Sequence, residues 1–111
     1  MTPFSWLFLG HLAGDFLFQN RWMAVNKANY WKPLLAHAFI YTVIVGLFSI
    51  PFGGIPVTGL VFIFIVHIVL DQRSFLTWWA KHITKSQETI YMILTDQVFH
   101  LIALALVIVL L

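Results

Sequence analysis

The sequence predicts an all-α integral membrane protein, a four-transmembrane-helix bundle with short amphipathic interfacial segments on its cytoplasmic side. Three observations carry this expectation. The chain is 61% hydrophobic and only 9% charged, with a mean hydropathy of +0.93, which departs from the balance of a soluble domain. Four apolar stretches, residues 3–20, 33–50, 56–71 and 89–111, each approach the roughly 17–25 residues that cross a bilayer. All six Lys and Arg residues fall between the first and second stretch or between the third and fourth.

The first stretch begins at Pro3 and lacks the basic start of a cleaved signal peptide, and it carries His11 and Asp15 where such a peptide would be plainly apolar, so it reads as a retained span. Gly10 and Gly14 in it form a small-xxx-small pattern that lets another backbone approach, with ordinary packing the simplest use. The second stretch opens at Pro33, where a first helical turn tolerates proline. Pro51-Phe52-Gly53-Gly54-Ile55-Pro56 is a tight uncharged turn, so the second and third spans form a hairpin. The third span is slightly short, and the fourth ends the chain.

Arg21, Lys27 and Lys32 in one connection and Arg73, Lys81 and Lys85 in the other place both on the cytoplasmic side by the positive-inside rule, with both termini on the opposite side. Trp22, Trp31, Trp78 and Trp79 cluster in the same connections, as an interfacial aromatic belt does. Membrane lipids are thus the expected partners. Anionic headgroups suit the basic surface, topology and anchoring alone being the plainer use, and nothing points to nucleic acid. A single domain over residues 1–111 is expected in an inner, cytoplasmic membrane of prokaryotic type. With no cysteine in the chain, disulfides, thiolate metal sites and cysteine nucleophiles are excluded.

The ionisable residues inside the apolar stretches carry the chemistry. A histidine and an aspartate stand four apart three times: His11 with Asp15, His67 with Asp71, and Asp96 with His100. An i,i+4 pair shares one helix face, so each pair can present two metal-binding or proton-transfer groups side by side. His37 is an unpaired seventh. At about 1.5 Å of rise per residue all seven lie in the cytoplasmic half of the membrane, a common depth that a single polar cluster requires. Interhelical glue is the bland alternative, but intramembrane ionisable groups are functional by default. Gln19 and Gln97 are candidates for the outer ring of such a site or for substrate contact, as is Lys27, which suits a phosphate or carboxylate headgroup. Tyr41, one turn beyond His37, is placed to orient that imidazole or simply to pack. His82 reads as a surface residue, and no nucleotide, zincin or nucleophile-elbow motif is present.

The stretches GHLAGDFLFQNRWMAVNK, PLLAHAFIYT, VHIVLDQ and TDQVFHLIAL, in that order, resemble domain-of-unknown-function family 3307. The resemblance implies a four-helix integral membrane protein with polar positions at His11, Asp15, Gln19, Lys27, His37, His67, Asp71, Asp96, Gln97 and His100, and it supplies no activity. More remotely, the His/Asp pattern looks like that of proteins described as predicted membrane-bound metal-dependent hydrolases, in residue type and placement.

The leading expectation is a metal-dependent hydrolase acting on a lipid or amphiphile at the cytoplasmic leaflet. Imidazole and carboxylate ligands suit Zn²⁺ first, then Mn²⁺ or Fe²⁺. One or two ions are expected, with His11, Asp15, His67, Asp71, Asp96 and His100 as ligands, His37 as a seventh ligand or proton donor, and His37 and Asp71 as the catalytic pair. The second reading is a small transporter or channel subunit moving protons or metal ions, which with four spans would need homo-oligomerisation. The outer halves offer it chiefly Ser5, Thr42, Ser49 and Thr58, a poor aqueous path. A di-iron oxygenase and a purely structural adaptor rank behind these.

Overall fold

The computed structural model describes residues 2–27, 29–72, 74–86 and 88–110; Arg73, counted above among the basic residues, and the terminal residues Met1 and Leu111 of the expected domain lie outside them. All regular structure among the described residues is helical. Helix α1 spans Pro3–Leu12 and continues as a π-helical segment, Ala13–Leu17. The Thr2 side chain caps its first turn and Pro3 occupies a position whose amide would be unpaired anyway. A short α2 (Arg21–Asn26), capped by Asn20, leads to α3 (Trp31–Ser49). One 3₁₀ turn, Ile50–Phe52, then Gly53 and Gly54 at φ 108° and 88°, reverses the chain into α4 (Val57–Asp71). These left-handed positions favour glycine. Helices α5 (Ser74–His82) and α6 (Thr89–Leu110) complete the chain.

The long segments pack in a closed ring: α1 against α3 and α6, and α4 against α3 and α6. Helix α2 lies on α3, and α5 bridges α4 and α6. Both short helices therefore sit at the end of the bundle where α1 and α4 finish and α3 and α6 begin.

By length and composition two helical stretches are apolar and long enough to cross a membrane, Trp31–Phe52 and Thr89–Leu110, and a third is reached only if the bent pair α4 and α5 counts as one span. The expectation of four such spans is thus corrected. Helix α1 has 10 residues before its hydrogen bonding changes to the π pattern, and the 15 residues of α4 cover about 22 Å at helical rise, short of the ~30 Å hydrocarbon core.

The burial pattern is inverted relative to a soluble protein. Phe8, Phe39, Val43, Leu47, Val61, Ile65, Val98 and Ile102 point outward, whereas His11, Asp15, His37, His67, Asp71, Asp96 and His100 are buried. Such an apolar exterior marks a surface that meets lipid or other apolar matter rather than water. Inside the ring the polar residues occupy the α2/α5 end. Leu7, Val45, Ile63, Leu104 and Val107 fill the other end, with Tyr41 at the junction.

Candidate metal centre

Each of the four long segments contributes to one polar cluster. Asp15 comes from the π segment, where the wider winding turns its carboxylate toward α3, and π segments recur at functional sites. Close approach of α1 and α3 depends on Gly10 and Gly14: a Cβ on Gly10 would lie 3.0 Å from Phe48 Cβ, and one on Gly14 would lie 2.8 Å from Tyr41 Cδ2. The small-xxx-small pattern thus serves packing, and that packing is what brings Asp15 to His37.

His37 Nε2–H donates to Asp15 Oδ1 at 3.1 Å and lies 3.3 Å from Asp71 Oδ2. His67 Nε2 stands 2.8 Å from Asp71 Oδ2 and 3.9 Å from Asp15 Oδ1, and His100 Nε2 stands 3.5 Å from Asp71 Oδ1. Two triads result, Asp15–His37–His67 and His67–Asp71–His100, each with its ligand atoms within 4.8 Å of one another. An ion bound tetrahedrally at about 2.1 Å would space its ligands by about 3.4 Å, so both triads have the dimensions of a metal site.

Hydrogen bonding separates the two. In the first triad Asp15 and His37 satisfy each other. In the second, His67 Nε2, Asp71 Oδ2 and His100 Nε2 are buried and make no aligned hydrogen bond, although His67 and Asp71 are within ion-pair distance. Buried polar atoms this close without an aligned hydrogen bond among them are what a shared cation would satisfy. His100 is also set in the right tautomer: its Nδ1–H donates to the Asp96 carbonyl at 2.7 Å, with the Asp96 carboxylate at 3.3 Å, which leaves Nε2 with its lone pair toward Asp71.

The three i,i+4 spacings therefore do different work. Only His67 and Asp71 face one site together. Asp96 backs His100 from behind and belongs to neither triad. His11 also stands outside both: its Nε2–H donates to Gln97 Oε1 at 2.7 Å, and its Nδ1 accepts from the Tyr41 hydroxyl at 2.8 Å, which occupies both nitrogens. Asp15 is only 3.6 Å from His11 Nδ1, a contact and not an aligned bond. Tyr41 orients His11 rather than His37, and its ring stacks on His67.

The outer ring is polar too. Gln97 holds His11, and Gln19 donates from Nε2 to the Asp15 carbonyl at 3.1 Å. Lys27, a candidate for the outer ring or for a headgroup contact, reaches inward and places Nζ 3.2 Å from Asp71 Oδ2, with its side chain 12% exposed. A groove of about 440 Å³ lined by Trp22, Asn26, Tyr30, Trp31, Lys32 and Pro33 opens at the same end of the bundle. Tyr41 and Lys27 are the two contributors whose contacts the sequence did not reveal. Their signal was weak, one being an aromatic at helical spacing from a histidine and the other a basic residue in a basic connection.

The model of one family, described as protein of unknown function (DUF3307), matches residues 4–111. The chain belongs to the DUF3307 family. No curated protein and no solved structure matches it significantly, so the more distant hydrolase likeness has no counterpart among these comparisons. The DUF3307 match covers all four segments that build the cluster, and its description assigns them no chemistry.

Proposed function

We propose that this protein is embedded in a membrane, holds a divalent metal ion among His67, Asp71 and His100 near the cytoplasmic face, and hydrolyses a lipid or amphiphilic substrate there. The observation that carries the proposal is the second triad, three buried ligand atoms from two helices without aligned hydrogen bonds. Zn²⁺ suits two imidazoles and a carboxylate, and three protein ligands leave a position for water or substrate. Mn²⁺ or Fe²⁺ fit the same donors.

Membrane embedding is supported by the ring packing, by exposed apolar residues on α1 and α4 as well as on α3 and α6, and by a longest dimension of 40 Å, close to a bilayer with its headgroups. The exposed Trp22, Trp31 and Trp78 at the α2/α5 end fit the interfacial belt of a cytoplasmic face.

In this reading His67, Asp71 and His100 would hold the ion, whose chemistry when bound would be to activate water and polarise the bond to be cut. The remaining chemistry belongs to the chain. His37, held by Asp15, is placed to take or return a proton at Nε2. Asp96 fixes the His100 ring, and Gln97 with Tyr41 fixes His11 against the cluster. An amphiphile lying in the cytoplasmic leaflet would bring its polar end to the groove beside Trp22 and Trp31 while its chains stay in lipid. The alternative of ion or proton transport meets an obstacle in the apolar layer of Leu7, Val45, Ile63, Leu104 and Val107.

The test is elemental analysis of chelator-washed, detergent-purified protein reloaded with Zn²⁺, followed by lipid-hydrolysis assays on the same sample. Retained metal and turnover that disappear together in His67→Ala, with turnover lost in Asp71→Asn, are expected. Failure to retain or regain any divalent ion would overturn the proposal.

A further inference from the structure

The centre has an uncommon charge balance. Three carboxylates, Asp15, Asp71 and Asp96, are buried in it, and among the described residues Lys27 is the one lysine or arginine within ion-pair distance of them. With neutral imidazoles the sum is three negative charges and one positive, a net charge of −2. Charge of that size is not sustained in an apolar interior without a counter-charge. One divalent cation cancels it; two would overshoot to +2.

Geometry points the same way. His67 Nε2 faces both Asp71 Oδ2 at 2.8 Å and Asp15 Oδ1 at 3.9 Å, so the two triads meet at one nitrogen. An imidazole nitrogen has a single lone pair and ligates a single ion. The triads thus cannot both be filled. The ammonium of Lys27 shares Asp71 Oδ2 with His37 and His67. Its position is built in: Met23, 3% exposed, anchors α2, and the Lys27 amide closes the helix on the Met23 carbonyl, so that the side chain departs toward the cluster.

We infer that Lys27 is a resident counter-ion of the metal centre and that its charge sets the affinity of the centre for the one divalent cation per chain that the shared His67 nitrogen admits. The inference rests on the metal-centre reading above and assigns Lys27 an electrostatic role in ion binding, distinct from substrate contact.

The test measures zinc per chain at saturation and zinc affinity, by competition with a chromophoric chelator, for the full chain in detergent. Wild type binds one ion. Lys27→Met, leaving net −3, tightens zinc by about tenfold or more, and Asp15→Asn, leaving net −1, weakens it by about tenfold or more. The double variant restores net −2 and returns to within about threefold of wild type, a compensation that two merely structural losses would not show. Lys27→Arg keeps the charge and stays within about threefold. Should Lys27→Met fail to fold, Lys27→Gln makes the same comparison. Two ions in wild type, or weakened zinc binding in Lys27→Met or Lys27→Gln with additive loss in the double variant, would overturn the inference. If wild type binds zinc but affinity ignores these charges, this inference alone falls; if wild type binds no zinc, the metal centre falls with it.

Discussion

The rings of Tyr41 and His67 stack 4.0 Å apart at an interplanar angle of 30°, while the Tyr41 hydroxyl reaches 2.8 Å to His11 Nδ1. One side chain thereby fixes the imidazole common to both triads and ties it to a histidine outside them. The two functions are separable. Tyr41→Phe keeps the stack and leaves His11 Nδ1 without its donor, so thermal unfolding in detergent should show a loss of about 1–3 kcal/mol. Zinc affinity should stay within about threefold, because His67 remains held. A collapse of zinc binding in Tyr41→Phe would place the hydroxyl in the metal site itself.

His11 and His67 look alike in sequence, each followed four residues later by aspartate, yet the structure gives them different duties. His67→Ala and His100→Ala should each lower zinc affinity by about 100-fold or more, since each removes a direct donor of the proposed site. His11→Ala should lower it by no more than about tenfold while costing stability, because Gln97 and Tyr41 lose a buried partner. Equal losses in all three variants would restore His11 to the ligand set.

The helical class, the hairpin at Pro51–Pro56 and the convergence of the seven ionisable groups were legible because each rests on local or periodic information: apolar runs, turn residues and i,i+4 spacing. The split among those groups was not legible. His11, His67 and His100 share a spacing rule, and what distinguishes them is the neighbour across the helix interface, Gln97 for one, Asp71 for another and the Asp96 carbonyl behind the third. The π segment at Ala13–Leu17 was also hidden, since it shifts hydrogen bonding without altering composition. The partner of Lys27 was hidden for a related reason. A lysine beside Trp22 and Arg21 reads as a headgroup contact, and only the docking of α2 on α3 turns it inward.

Gly14 offers a probe of how tightly the site is held by packing. An added Cβ would come within 2.8 Å of Tyr41 Cδ2, and the ring has little room to yield because it is 2% exposed and stacked on His67. Gly14→Ala should destabilise the protein by about 1–3 kcal/mol and weaken zinc binding through displacement of Tyr41 and His67. Combining it with Tyr41→Leu should cost less than the sum of the two single changes, because the clash partner has gone. Additive costs would mean that Gly14 serves helix geometry and not this contact. Denaturant titration of wild type and the three variants supplies the comparison.

Hydrolysis and transport part company at the apolar layer. A transported ion must leave the His/Asp cluster toward the far side of the bundle, and there Leu7, Val45, Ile63, Leu104 and Val107 are each between 0% and 3% exposed and pack against one another. Unsolvated passage of a charge through such a layer carries a desolvation cost of several kcal/mol or more, and among the described residues no buried carboxylate or imidazole in that half relieves it. A hydrolase needs access from one side only, and the groove at Trp22 and Trp31 lies on the side where the cluster sits. Wild-type protein in sealed liposomes loaded with a zinc-sensitive dye should therefore show no zinc uptake and no coupled proton flux above protein-free vesicles. Sustained flux that vanishes in His67→Ala would reject hydrolysis as the primary activity and make the cluster a transport site.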